Sequence, residues 1–204
     1  MNLAVFASGR GSNLGAILEA IRKGDLPARL SVVISNNASA GALELARSNH
    51  IPAVRIRQQE YPSEEAFSEA LISLLAQHEV DFIALAGYMR MIPPDVIARF
   101  RNRITNIHPA LLPSFGGSGM YGMRVHEAVI RSGVKISGVT VHLVDEEYDH
   151  GPIVMQRAIE VTANDDPVSL AAKVQKLEHE MYPQALRAFA EGRVMMKGTT
   201  VWIR

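Results

Sequence analysis

The stretch LAVFASGRGSN, residues 3–13, passes from an apolar, β-prone run into a turn with two glycines, and a segment of helical period follows over about 13–23. Strand, glycine turn and helix make the opening half of a βαβ unit. The same order repeats downstream. Apolar β-prone runs stand at LSVVIS (30–35), PAVRI (52–56), DFIALAG (81–87), ITNI (104–107) and SGVTVHLV (137–144), with helix candidates at about 40–49, 64–78 and 93–101. This alternation predicts an α/β fold, Rossmann-like and doubly wound, with a mostly parallel sheet, right-handed crossovers and helices on both faces. After residue 150 an extended run, IVMQRAIEV, leads into a long helix from about residue 167. Asp166 is its expected N-cap and Pro167 its first helical residue. Leu170, Val174, Leu177 and Met181 recur at spacings of four, three and four, which gives that helix one apolar stripe to bury.

At 204 residues the chain fits one domain with a sizeable core, and it has no internal repeat, low-complexity segment or linker that divides it. Its 21 basic and 21 acidic residues cancel, and neither sign forms a run, which excludes nucleic acid as an expected partner. The N-terminus lacks a basic lead-in and reads as a strand rather than a signal peptide. No stretch approaches the roughly 20 apolar residues of a membrane span, so no membrane partner is expected. The absence of cysteine removes disulfides, thiolate metal sites and thiol nucleophiles, and suits a reducing compartment, with the cytoplasm as the expected location. The seven histidines are scattered, with no HExxH pair, and no metal is expected.

In open α/β sheets ligands bind beyond the carboxyl ends of the strands, so the loops there carry the candidates. SGRGSN, Ser8 to Asn13, can aim backbone amides and the side chains of Ser12 and Asn13 at an anion. It departs from a dinucleotide fingerprint, since position 14 is Leu and the third glycine comes one residue late. The second strand also ends in SNNAS, without an acidic residue for a ribose. A single phosphate on a small substrate fits better, and a tight strand-to-helix turn accounts for the same residues. At the fifth strand, side chains two apart point the same way, so Asn106 and His108 face a common space. An amide and an imidazole there can serve acyl transfer, stabilising an oxyanion and moving a proton. A turn-forming Asn and a structural His remain the plain alternative. The loop VDEEYDHGP, 144–152, offers Asp145, Glu146, Glu147 and Asp149, any of which could orient and charge His108, or form a solvated acidic loop. His150 stands where a calcium loop needs glycine. His142, on the preceding strand, reads as a core or pocket-wall residue.

Four motifs together, GRGSN, LAGYMRMI (85–92), NIHPALLPSF (106–115) and GVTVHLVDEEYDHGP (138–152), resemble the phosphoribosylglycinamide formyltransferases, a family of folate-dependent formyl transfer. The resemblance runs from residue 2 to about 198. It implies one formyltransferase domain, 1–204, with a phosphate-binding half over about 1–100 and a catalytic and folate half over about 101–204. It also implies 10-formyltetrahydrofolate as cosubstrate and glycinamide ribonucleotide as acceptor, in a monomer or homodimer. In this family's pattern Asn106 stabilises the tetrahedral oxyanion and His108 assists and moves a proton. Asp149 holds and charges that imidazole, with an ordered water relaying protons. Gly11, Ser12 and Asn13 match the ribonucleotide phosphate loop, Glu178 matches the acidic residue that holds glycinamide, and Met89, Arg90, Met91, Ile92 and Asn106 match the folate site.

Two stretches depart from the pattern. Glu64 stands where some members carry a basic residue near the folate tail, and FGGSGMYGMRVHEAV, from residue 115, is longer and richer in glycine than in compact members. That stretch reads as a mobile lid or a plain surface loop. Three other readings compete. A transfer RNA formyltransferase is expected to add a C-terminal nucleic-acid-binding domain and a basic face, and a formyltetrahydrofolate deformylase an N-terminal regulatory domain, whereas here the first strand begins at residue 2. A binding module for folate or nucleotide has no need of Asn106, His108 and Asp149 together.

Overall fold

The structure is a computed structural model describing residues 1–204. In chain order its elements are β1 (Asn2–Phe6), α1 (Ser12–Arg22), β2 (Arg29–Ser35), α2 (Gly41–Ser48), β3 (Ala53–Arg55), α3 (Glu64–Gln77), β4 (Phe82–Leu85), α4 (Pro94–Arg99), β5 (Ile104–His108), α5 (Met123–Ser132), β6 (Ile136–Leu143), β7 (Ile153–Glu160), α6 (Pro167–Ala190), β8 (Val194–Lys197) and β9 (Thr200–Ile203). Seven strands form a mostly parallel sheet in the order β3-β2-β1-β4-β5-β6-β7, flanked by helices, and the doubly wound α/β expectation holds.

The chain divides into two compact units, Met1–Thr105 and Asn106–Arg204. In the first, β1 lies parallel to β2 and to β4, and β2 parallel to β3. Leu3, Ala4, Val5 and Phe6 are fully buried, as are Val32, Val33 and Ile34. Continuous apolar runs of this kind are what strands covered on both faces require, and they are why the runs stand out in the sequence. In the second unit β6 and β7 pair antiparallel, with Val139 opposite Arg157. Helix α6 opens on a reciprocal capping box, in which Asp166 accepts from the Ser169 amide at 2.7 Å and Ser169 Oγ accepts from the Asp166 amide at 2.9 Å. Its stripe of Leu170, Val174, Leu177 and Met181 is buried as the spacing requires.

One element differs from the sequence expectation. Residues 123–132 form α5, which buries Val125, Ala128 and Val129 on one face and ends on Gly133 in the left-handed region. The glycines upstream hide that three-and-four spacing, so the whole stretch from residue 115 reads as a loop. The last residues, VWIR, lie in the hairpin of β8 and β9, where exposed Trp202 pairs with Met195. No helix is long and apolar enough to cross a membrane.

Candidate functional site

Strand β5 alternates as a strand must. Thr105 and Ile107 point to one side, Asn106 and His108 to the other, and His108 is only 3 % exposed. The segment that follows is pinned from β6 and β7. Thr140 Oγ1 donates to the Ala110 carbonyl at 2.7 Å and accepts from the Leu112 amide at 3.0 Å. Gln156 Nε2 donates to both the Leu112 carbonyl and Thr140 Oγ1 at 2.9 Å. These bonds bring two backbone groups of the glycine-rich stretch into the site: the Phe115 carbonyl, 2.8 Å from His108 Nε2, and the Gly117 amide, 3.0 Å from Asp149 Oδ2. The start of that stretch is therefore built into the site, whereas its end is helix.

Asp149 reaches the site from the β6–β7 loop with φ of 54°, in the left-handed region that asparagine and aspartate tolerate best among side-chain-bearing residues. Two residues on, a Cβ added to Gly151 would lie 2.0 Å from the Leu143 carbonyl oxygen, and the next residue's carbonyl, on Pro152, accepts from the Leu143 amide at 2.8 Å. Only glycine lets the loop return this close to the end of β6. Gly151→Ala is expected to destabilise the protein by about 1–3 kcal/mol, the range for overpacked backbone contacts. Thermal denaturation checks this, and an unchanged midpoint would mean that the loop shifts freely.

The side chains converge closely. Asp149 Oδ2 lies 3.5 Å from His108 Nδ1, and Oδ1 lies 3.6 Å from His142 Nε2. Asn106 Nδ2 lies 3.1 Å from His142 Nε2 and 3.3 Å from Asp149 Oδ1. Because a carbonyl only accepts, the Phe115 contact puts a proton on His108 Nε2, and Nδ1 is the atom that faces the carboxylate. Burial pushes the His108 pKa down from its ordinary value, and the charge of Asp149 opposes that shift. Burial acts to raise the Asp149 pKa, but it is outweighed, with His108 and the Gly117 amide among the groups that favour the charged form, and the carboxyl is held below the usual carboxylate range. The cluster therefore keeps a carboxylate beside an imidazole whose pKa burial lowers and the carboxylate opposes, a pairing suited to proton transfer. Of the loop's four acidic residues, Asp149 is the one placed here; Asp145 instead takes His150 Nδ1 at 2.9 Å.

His142, which the sequence marks as a core or pocket-wall residue, joins the cluster as a hydrogen-bonding member. It is 2 % exposed and lies two residues from Thr140 on β6, so the two share a face. That shared register with another site residue is the signal that could have found this role. Glu178 is half-buried on α6 beside buried Leu177.

In the first unit, the loop after β1 feeds α1, whose N-cap is Gly11 with φ of 85°. A Cβ at Gly11 would come within 2.9 Å of the Ala42 Cα, so glycine is required by both the turn and the neighbour. The cap has no side chain to occupy the helix's first amides, the arrangement found where helices receive anions. Ser12 and Asn13 lie in that first turn. Ser8 ties the loop down: its Oγ donates to Asn36 Oδ1 at 2.6 Å and accepts from the Met89 amide at 2.9 Å. Met89, Arg90 and Met91 follow exposed, and Ile92 is buried. Glu64 and Glu65 occupy the first turn of α3, where their charge complements the helix dipole, behind a Ser63 cap. No group of three or more His, Cys, Asp or Glu side chains is placed to hold a metal ion.

The family model described as "Formyl transferase" matches residues 1–186. A chloroplastic phosphoribosylglycinamide formyltransferase of Vigna unguiculata is 44 % identical over 195 residues, covering 96 % of this chain and 62 % of the plant protein. The chain thus spans less than two thirds of that relative. The phosphoribosylglycinamide formyltransferase of Bacillus subtilis (strain 168) is 40 % identical over 184 residues, covering 90 % of this chain and 92 % of that one. Among solved structures, glycinamide ribonucleotide transformylase 1 from Symbiobacterium toebii superposes with a TM-score of 0.93 at 41 % identity, covering 100 % of this chain and 93 % of that one.

Proposed function

The chain belongs to the formyl transferase family, and we propose that it transfers the formyl group of 10-formyltetrahydrofolate to the amine of glycinamide ribonucleotide. The products are formylglycinamide ribonucleotide and tetrahydrofolate, a step of purine biosynthesis. The observation that carries this reading is the convergence of Asn106, His108 and Asp149, with His108 Nδ1 3.5 Å from the carboxylate.

In this mechanism the amine attacks the formyl carbon, and negative charge gathers on the formyl oxygen. The Nδ2–H of Asn106 supplies a hydrogen-bond donor to that charge, where preorganised donors are most effective, and His108, when protonated on both nitrogens, adds its positive charge beside it. Asp149 stabilises His108 when it carries two protons, and receives the amine's proton through an ordered water. His108 then returns a proton to the departing folate nitrogen. The first unit serves binding, with Gly11, Ser12 and Asn13 holding the ribonucleotide phosphate at the N-terminus of α1. Exposed Met89, Arg90 and Met91 contact the folate with Ile92 anchoring their segment, and Glu178 holds the glycinamide substrate. The absence of cysteine fits a working place in a reducing compartment such as the cytoplasm.

The test is the appearance of tetrahydrofolate from purified protein and 10-formyltetrahydrofolate, with and without glycinamide ribonucleotide. Appearance only with the ribonucleotide is expected. Appearance in its absence would instead identify a deformylase, and none in either mixture would leave a binding protein.

A further inference from the structure

The atoms around Asn106 fix which way its amide points, and the residue that fixes it is His142. The His142 Nδ1 lies 2.8 Å from the Leu143 carbonyl, so that nitrogen carries the proton. In the neutral ring Nε2 is then a lone-pair acceptor, facing Asn106 at 3.1 Å. The other neighbour of the Asn106 amide is the Asp149 carboxylate at 3.3 Å, also an acceptor. Reversing the amide would set Asn106 Oδ1 against two acceptors, leaving the donors of Nδ2 without partners on that side. One hydrogen of Nδ2 goes to His142 and the other to Asp149.

We propose that His142 is a positioning residue for formyl transfer: Nε2 holds one Asn106 amide hydrogen as a pivot and leaves the other to be shared between Asp149 and the reacting oxygen. This rests on the functional reading above and deepens it. The division of labour follows from chemistry. When Asp149 takes up the amine's proton, its oxygen becomes a weaker acceptor, and the Asn106 hydrogen directed at it is released for the developing oxyanion. His142 lies outside that transfer, so the Asn106 hydrogen it holds keeps the amide oriented. The Leu143 carbonyl supports this by fixing the His142 tautomer, a supporting hydrogen bond of the kind that sets which imidazole nitrogen is available.

The first measurement is made on the unaltered protein, labelled with nitrogen-15 and without substrates. Scalar coupling across the hydrogen bond between Asn106 Nδ2 and His142 Nε2 is expected, and its absence overturns the proposal. Two variants then test function. His142→Leu fills the space without an acceptor, and its kcat is expected to fall by about 10- to 100-fold with KM for both substrates moved less than about threefold, the pattern of a misplaced transition-state donor. His142→Gln restores an acceptor oxygen near the Nε2 position and is expected to recover most of that loss. Equal losses in both variants, or kcat unchanged in His142→Leu, would overturn it. Should His142→Leu not fold, the coupling in the parent and the rate of His142→Gln still decide. Because the coupling is read without substrate, its presence alongside an absence of formyl transfer would overturn only the functional reading.

Discussion

Replacing His108 by alanine is expected to lower kcat for formyl transfer by about 10²- to 10⁴-fold, the range for losing a positioned general acid–base group. Binding of folate is expected to change little. His108 is buried at the exit of β5, its Nε2 held by the Phe115 carbonyl and its Nδ1 facing Asp149. Its imidazole is placed to hold and release a proton, with burial pulling its pKa below the ordinary value against the opposing pull of Asp149. Alanine removes both donors and leaves Asp149 beside an unfilled space. Steady-state kinetics with both substrates, paired with calorimetric titration of folate, separate the two effects. A variant that transfers formyl groups at near the parent rate would remove His108 from the mechanism, and loss of folate binding would reassign it to the binding surface.

Asp149→Asn is expected to cost about 10²- to 10³-fold in kcat, because it removes the charge that stabilises a doubly protonated His108 and the acceptor of the amine's proton. The variant is informative because so little else changes. Asparagine tolerates the left-handed backbone at φ of 54°, and its carbonyl oxygen can still accept from the Gly117 amide. Its effect on His108 has a definite sign. Asp149 raises the His108 pKa against the larger lowering by burial, so the variant's imidazole titrates at lower pH than the parent's. A folded-state pKa below the unfolded value of 6.5 gives stability that is present above pH 6.5 and lost as pH falls through the folded value. In the variant that loss extends to lower pH than in the parent. Imidazole titration by nuclear magnetic resonance checks the direction, and an upward or unchanged His108 titration would mean that Asp149 does not govern its charge.

Much of this protein is legible in its sequence, for reasons specific to each element. Strands such as LAVFA and LSVVIS are buried along nearly their whole length, so hydropathy alone marks them. Helix α6 carries its cap, its proline and its apolar stripe within one local segment. Asn106 and His108 follow from the two-residue period of a strand, which places them on one side with no tertiary information. Helix α5 was hidden because glycines at 116, 117, 119 and 122 mask the short apolar spacing that follows. Glu64 looked like a departure at a folate tail, and its local chemistry is that of a residue opening a capped helix.

The sequence by itself therefore determined the alternating α/β architecture, the loops beyond the carboxyl ends of the strands and the placing of Asn106 and His108 on one side of β5, because all of these depend on local period and composition. Only the tertiary structure decided which of Asp145, Glu146, Glu147 and Asp149 meets the imidazole, and that His142 holds the Asn106 amide. The physical reason is that hydrogen-bond partners more than thirty residues apart are selected by the register of β6 and by the close return of Gly151 to Leu143, and neither leaves a period in the chain.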